Sequence, residues 1–149
     1  MQIANKLTKV VYSSDSSFGQ DVIEASKSMP VIVDMYADWC GPCQMVAPII
    51  EELSNEYESK VKFVKVNTDD NSQLASKYEI MSIPTIMVFM YGTLVFKEAG
   101  ALPKEQMKQF VEEVLRSWDE IQEYAKQNPG TNIEELIAKE MELGEDETK

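Results

Sequence analysis

Histidine is absent from this 149-residue chain, and cysteine occurs only twice. The first absence excludes histidine acid–base chemistry, a Ser-His-Asp arrangement and the common structural zinc sites, which draw four ligands from cysteine and histidine. Two thiolates alone make a poor metal site, so no bound metal is expected. Nor do Cys40 and Cys43, separated by two residues, staple distant segments as the several bridges of a small secreted scaffold do. Basic residues are also scarce: 14 Lys and Arg against 26 Asp and Glu give a net charge of −12. With no Lys/Arg-rich stripe to offset it, that charge repels phosphate backbones and anionic lipid, so protein partners are expected rather than nucleic acid or a membrane. No apolar run approaches the roughly 18 residues of a membrane span. The opening Met1 to Lys6 lacks the basic and apolar segments of a secretory signal, and a cytoplasmic location is expected.

What is present is an ordinary globular composition, 44% apolar and 27% charged, long enough for one core with an extension. Leu7 to Tyr12 is rich in β-branched residues and reads as a short strand. Phe18, Val22, Ile23 and Ala25 recur at helical spacing before Met29-Pro30 stops the helix. Val31 to Ala37 is a nearly continuous apolar run, the mark of a strand buried on both faces, interrupted by Asp34. After the cysteine motif, Val46, Ile49, Ile50, Leu53 and Tyr57 form one helical face, with Pro48 inside it. Val61 to Val66 is a further strand, Leu74 to Tyr78 a short helix, and Ile86 to Met90 with Leu94 to Lys97 a hairpin around Tyr91-Gly92-Thr93. A long apolar stripe from Met107 to Ala125 ends at Asn128-Pro129-Gly130. Thr131-Asn132-Ile133-Glu134 matches a capping box for a last amphipathic helix, expected to end at Gly144. This order describes an α/β sheet sandwiched by helices.

The cysteines stand where a strand runs into a helix. Backbone N–H groups and the partial positive charge of a helix start stabilise a thiolate at Cys40, and thiolate is the attacking form in thiol–disulfide exchange. Cys43, one turn further in, is placed to attack the mixed disulfide that Cys40 forms. Cys40 is therefore read as nucleophile and Cys43 as resolving cysteine. The spacing alone is shared with metal sites.

Trp39-Cys40-Gly41-Pro42-Cys43 resembles the active-site signature of the thioredoxin family, and the resemblance runs from about Leu7 to Trp118. It includes Val33-Asp34, Ala47-Pro48-Ile49, Lys65, Ile83-Pro84-Thr85, Gly92 and Gly100-Ala101. The resemblance implies a thioredoxin fold, a central mixed five-stranded sheet flanked by helices, over residues 1–118. It also implies protein-disulfide reductase activity with no bound cofactor, the Cys40–Cys43 disulfide being the redox group, recharged by an NADPH-dependent thioredoxin reductase. Asp34, its pKa raised by desolvation, would accept the Cys43 proton, with Lys65 as its charged neighbour. A cis Pro84 would leave the Ile83 backbone open to a substrate strand, and Trp39, Gly41, Pro42, Ile83, Gly100 and Ala101 would form an apolar docking surface. Pro42 before the second cysteine resembles the reducing members.

Two departures stand out. Gln44 replaces the Lys or Arg that many relatives carry after the second cysteine, which removes one positive charge from the rim. Residues 119–149 lie beyond the resemblance and hold ten acidic and three basic residues, −7 of the total charge. This acidic helical extension is expected to fold back as a hairpin, Ile133, Leu136, Ile137 and Met141 meeting Trp118, Ile121 and Tyr124 in a monomer. A dimer contact and a solubilising or frayed acidic tail are the rivals. The alternative function is an interaction module whose extension holds a partner.

Overall fold

The computed structural model describes residues 9–147, with side chains as far as Met141. Five strands form one sheet: β1 (Val11–Tyr12), β2 (Val31–Tyr36), β3 (Lys62–Asn67), β4 (Thr85–Met90) and β5 (Thr93–Ala99). Their spatial order is β1-β3-β2-β4-β5, with β1, β3 and β2 mutually parallel and β4 and β5 antiparallel. The mixed five-stranded sheet flanked by helices agrees with the fold expected from the sequence. The strand expected at Leu7 to Tyr12 is β1, Val11–Tyr12; Leu7 and Thr8 lie outside the described residues.

Strand alternation divides the core into two layers. Ile32, Phe63, Ile86 and Val88 point to one face, where they meet Val46, Ile50 and Leu53 of α1 (Gly41–Glu56) and Met107, Val111 and Val114 of α3 (Lys104–Gln127). Val31, Val33, Met35, Val64, Met87 and Phe89 point to the other, covered by Phe18, Val22 and Leu74, the last from α2 (Ser72–Lys77). By the same parity Asp34 and Lys65, register partners across β2 and β3, both fall on the face beneath α1.

Several local expectations shift. The helix read over Phe18 to Ser26 is a π-helical segment, Gly19–Glu24, continued by a 3₁₀ turn, Ala25–Lys27. The wider winding keeps Val22 against the sheet, and the tighter turn places Ser26 under the β4–β5 hairpin. There Ser26 accepts from Tyr91 N through its carbonyl and from Gly92 N through its hydroxyl, both at 2.8 Å. These bonds hold the two-residue turn, in which both Tyr91 and Gly92 have positive φ, as a hairpin matching strand twist requires. Helix α1 runs through Pro48, whose missing N–H leaves the Gln44 carbonyl without its usual helical donor.

The last helix, α4 (Ile133–Glu147), is capped one residue later than expected: Asn132 Oδ1 accepts from Glu135 N at 3.0 Å. Thr131 instead donates its hydroxyl to the Asn128 carbonyl. The helix also passes Gly144 rather than stopping there. One glycine costs about 1 kcal/mol relative to alanine, too little to end a helix by itself. Ile137 of α4 is buried in the α1–α3 layer, with Ile133, Met141, Trp118 and Ile121 packed against it. Tyr124 takes no part in that layer and is half exposed. Trp118 stacks on Tyr91, ring centroids 4.7 Å apart, and α4 makes its main contacts with β5. The hairpin strand β5 thus gains a cover that α3 alone does not provide.

Candidate active site

Cys40 is the N-cap of α1, in extended conformation, and Gly41 and Pro42 form the first turn. Proline fits there because its missing N–H would find no helical acceptor anyway. The Cys40 Sγ accepts from Cys43 N at 3.2 Å, the place a serine or aspartate oxygen takes in an ordinary cap. The two cysteines form a disulfide with Cα atoms 5.2 Å apart. Both are nearly covered, Cys40 4% exposed and Cys43 2%, so burial separates them less than their positions in the helix suggest. The Ile83 carbonyl oxygen lies 3.8 Å from Cys40 Sγ, which leaves little of that sulfur open.

The Ile83–Pro84 peptide is cis. Pro84 is buried, and its carbonyl accepts from Gly100 N at 2.8 Å, which brings Gly100 and Ala101 to the proline loop. Gly100 has φ near +116°, open to glycine and strained for other residues. Trp39 is 71% exposed, and its indole Nε1 donates to Asp69 Oδ2 at 2.9 Å. Together with Thr68, Ile80, Met81, Ser82 and Ile83 it lines a cavity of about 400 Å³. Gly41 and Pro42 are exposed beside Cys40.

A second cavity, also about 400 Å³, is lined by Tyr12, Tyr36, Cys43, Gln44 and Lys65 among others. Asp34 is buried, and among the described residues neither carboxylate oxygen has a hydrogen-bond partner. Burial raises its pKa to about 6, against the opposing pull of Lys65. Lys65 is buried too, yet it makes no ion pair among the described residues. Its ammonium sits 4.3 Å from the Tyr36 ring centroid and 5.9 Å from that of Tyr12. No sequence motif marks the two tyrosines or Asp69. Strand parity was the available signal for Tyr36, which lies two residues after Asp34 and so on the same face. Nothing in the linear sequence pairs Trp39 with Asp69. Gln44, uncharged, donates to the Asp38 carbonyl at 2.8 Å.

A disulfide capping a helix, set against a sheet and a cis-proline loop, defines a thiol–disulfide oxidoreductase. The family model described as Thioredoxin matches residues 9–113. Thioredoxin 1 of Nostoc sp. (strain PCC 7120 / SAG 25.82 / UTEX 2576) is 50% identical over 102 residues, 68% of this chain and 94% of its own. Thioredoxin of Synechocystis sp. (strain ATCC 27184 / PCC 6803 / Kazusa) is likewise 50% identical over 102 residues, 68% of this chain and 94% of its own. Thioredoxin of Pyropia yezoensis is 50% identical over 94 residues, 63% of this chain and 86% of its own. The chain belongs to the thioredoxin family. These relatives support dithiol–disulfide exchange, with the Cys40–Cys43 disulfide as the redox group, and lend nothing to the interaction-module alternative. The family match ends inside α3, so the end of that helix and all of α4 lie outside it.

Proposed function

We propose that this protein reduces disulfides in other proteins, with Cys40 as nucleophile and Cys43 as resolving cysteine. The observation that carries the reading is the Cys43 N–H aimed at Cys40 Sγ from the first turn of α1. After reduction the same N–H faces a thiolate, and a hydrogen bond to a charged acceptor is stronger than one to a neutral sulfur. The Cys40 thiolate attacks one sulfur of the substrate disulfide and expels the other as thiolate. Cys43 then gives up its proton, attacks Cys40 Sγ and releases the second substrate thiolate. Two electrons pass to the substrate, and the Cys40–Cys43 disulfide closes.

Asp34 is the acceptor for the Cys43 proton. With a pKa of about 6 it is mainly ionised at neutral pH and basic enough to take a proton in transit. Lys65 modulates that basicity through its charge. The Ile83 backbone pairs with the substrate strand, and Trp39, Gly41, Pro42, Pro84, Gly100 and Ala101 surround it. An NADPH-dependent reductase returns the disulfide to the dithiol. Residues 1–118 form the catalytic unit, and 119–149 are an acidic extension of a monomer.

Insulin-disulfide reduction with dithiothreitol as electron source tests the reading. The wild type turns over rapidly, Cys40→Ser loses turnover, and Cys43→Ser accumulates a mixed disulfide on Cys40 that mass spectrometry detects. Absence of wild-type turnover, or trapping on Cys43 instead, overturns the assignment.

A further inference from the structure

Two methionines are exposed among the described residues, Met45 and Met81, and they differ in setting. Met81, 91% exposed, stands in the segment leading to the cis proline. It lines the cavity of about 400 Å³ whose other walls include Trp39 and Ile83. The Trp39 wall is fixed from behind by its hydrogen bond to Asp69, and the Ile83 wall reaches the nucleophilic sulfur through a carbonyl 3.8 Å away. Met45, on α1, does not line that cavity. Resting on the reductase reading, we propose that Met81 contacts the substrate residue beside the scissile disulfide, selects apolar side chains there, and loses that selectivity when peroxide converts its thioether to the sulfoxide.

The geometry supplies each part. A substrate held beside Ile83 with its sulfur at Cys40 brings neighbouring side chains over the Trp39–Met81 groove, whose larger walls, Trp39, Ile80, Met81 and Ile83, are apolar, with Thr68 and Ser82 between them. Methionine is flexible and polarizable, so it adapts to aliphatic and aromatic neighbours alike, and its sulfur makes favourable contacts with rings. Because the side chain is open to water while the protein is free, the same sulfur is accessible to a small oxidant. Hydrogen peroxide transfers one oxygen to the thioether, giving methionine sulfoxide and water, with sulfur oxidised by two electrons and the peroxide bond broken. The product is polar and no longer suits an apolar side chain. In the disulfide state the cysteines hold no free thiol to compete for the oxidant.

The experiment treats the full-length protein, in its disulfide form, with hydrogen peroxide and then removes the oxidant. Peptide mass spectrometry locates the sulfoxide, and steady-state reduction is measured with two peptide disulfides carrying leucine or lysine beside the half-cystine. Oxidation at Met81 is expected to raise KM for the leucine peptide on the order of tenfold, with kcat and the lysine peptide much less affected. Met45→Leu keeps the peroxide response, and Met81→Leu, which retains an apolar wall without a thioether, loses it. An equal response in Met81→Leu, or equal effects on the two peptides, overturns the proposal. If untreated wild type reduces neither peptide, the reductase reading itself fails.

Discussion

Asp34 is an unfavourable residue for a central strand on stability grounds alone, since a buried carboxylate without hydrogen-bond partners is costly to ionise. Its pKa rises from 3.8 to about 6 in the folded chain. Between those values the native state binds more protons than the unfolded state, so this group makes stability fall as pH rises through that window. The cost, about 3 kcal/mol, is fully present above pH ~7 and absent below pH ~3. Asp34→Asn is therefore expected to gain stability on the wild type as pH rises from 4 to 8. Urea unfolding of both proteins across that range checks it, and parallel curves would show that Asp34 ionises without penalty. The same substitution removes the proposed proton acceptor, so resolution slows while the fold becomes more stable. At this scale the sequence disclosed Asp34, because a carboxylate in an apolar run is conspicuous. It did not disclose that Lys65 lies over Tyr36 and Tyr12 rather than on the carboxylate, since several side-chain placements satisfy the same strand register.

Elements were legible wherever one periodicity dominated. The apolar runs of β2 and β4 and the stripes of α1 and α3 are visible in the sequence because burial sets their pattern. Element ends were less so, because caps are decided by single hydrogen bonds. Thr131 and Asn132 are both good cap residues, and only the geometry after Gly130 gives the role to Asn132. Asn132→Ala is expected to weaken the start of α4 by about 1 kcal/mol. Faster amide hydrogen exchange at Glu135, with the sheet unaffected, is the measurement. Unchanged exchange there would assign the cap elsewhere. The π-helical turn before Lys27 was equally hidden, since residues spaced at three and four serve either winding.

For the whole molecule the question is whether α4 belongs to the same cooperative unit as the sheet. Ile137 joins the layer that contains Ile32, Val88 and Val114, so its removal should reach the entire fold. Ile137→Ala is expected to lower the unfolding free energy by about 2–4 kcal/mol within a single transition. Insulin reduction should stay within about twofold of wild type, because α4 packs on β5 and α3 rather than beside Cys40. Denaturant unfolding followed by separate probes of α4 and the core decides it: two transitions would make the extension an independent appendage. Size-exclusion chromatography of the same variant tests the dimer rival, in which losing Ile137 would also lower the apparent mass.

The sequence by itself determined most of the elements, because strand and helix patterns are local and repeat with the period of the element. The thiol–disulfide chemistry and the five-stranded sheet were legible through the resemblance of Trp39 to Cys43 and its companion motifs to the thioredoxin family, since the cysteine spacing alone is shared with metal sites. Only the tertiary structure decided which distant groups meet: Trp39 with Asp69, Lys65 with two tyrosines, Gly100 with the Pro84 carbonyl, and Ile137 with the sheet. Those contacts join residues far apart in the chain, and their energies depend on distance and burial, which exist only once the strands have paired.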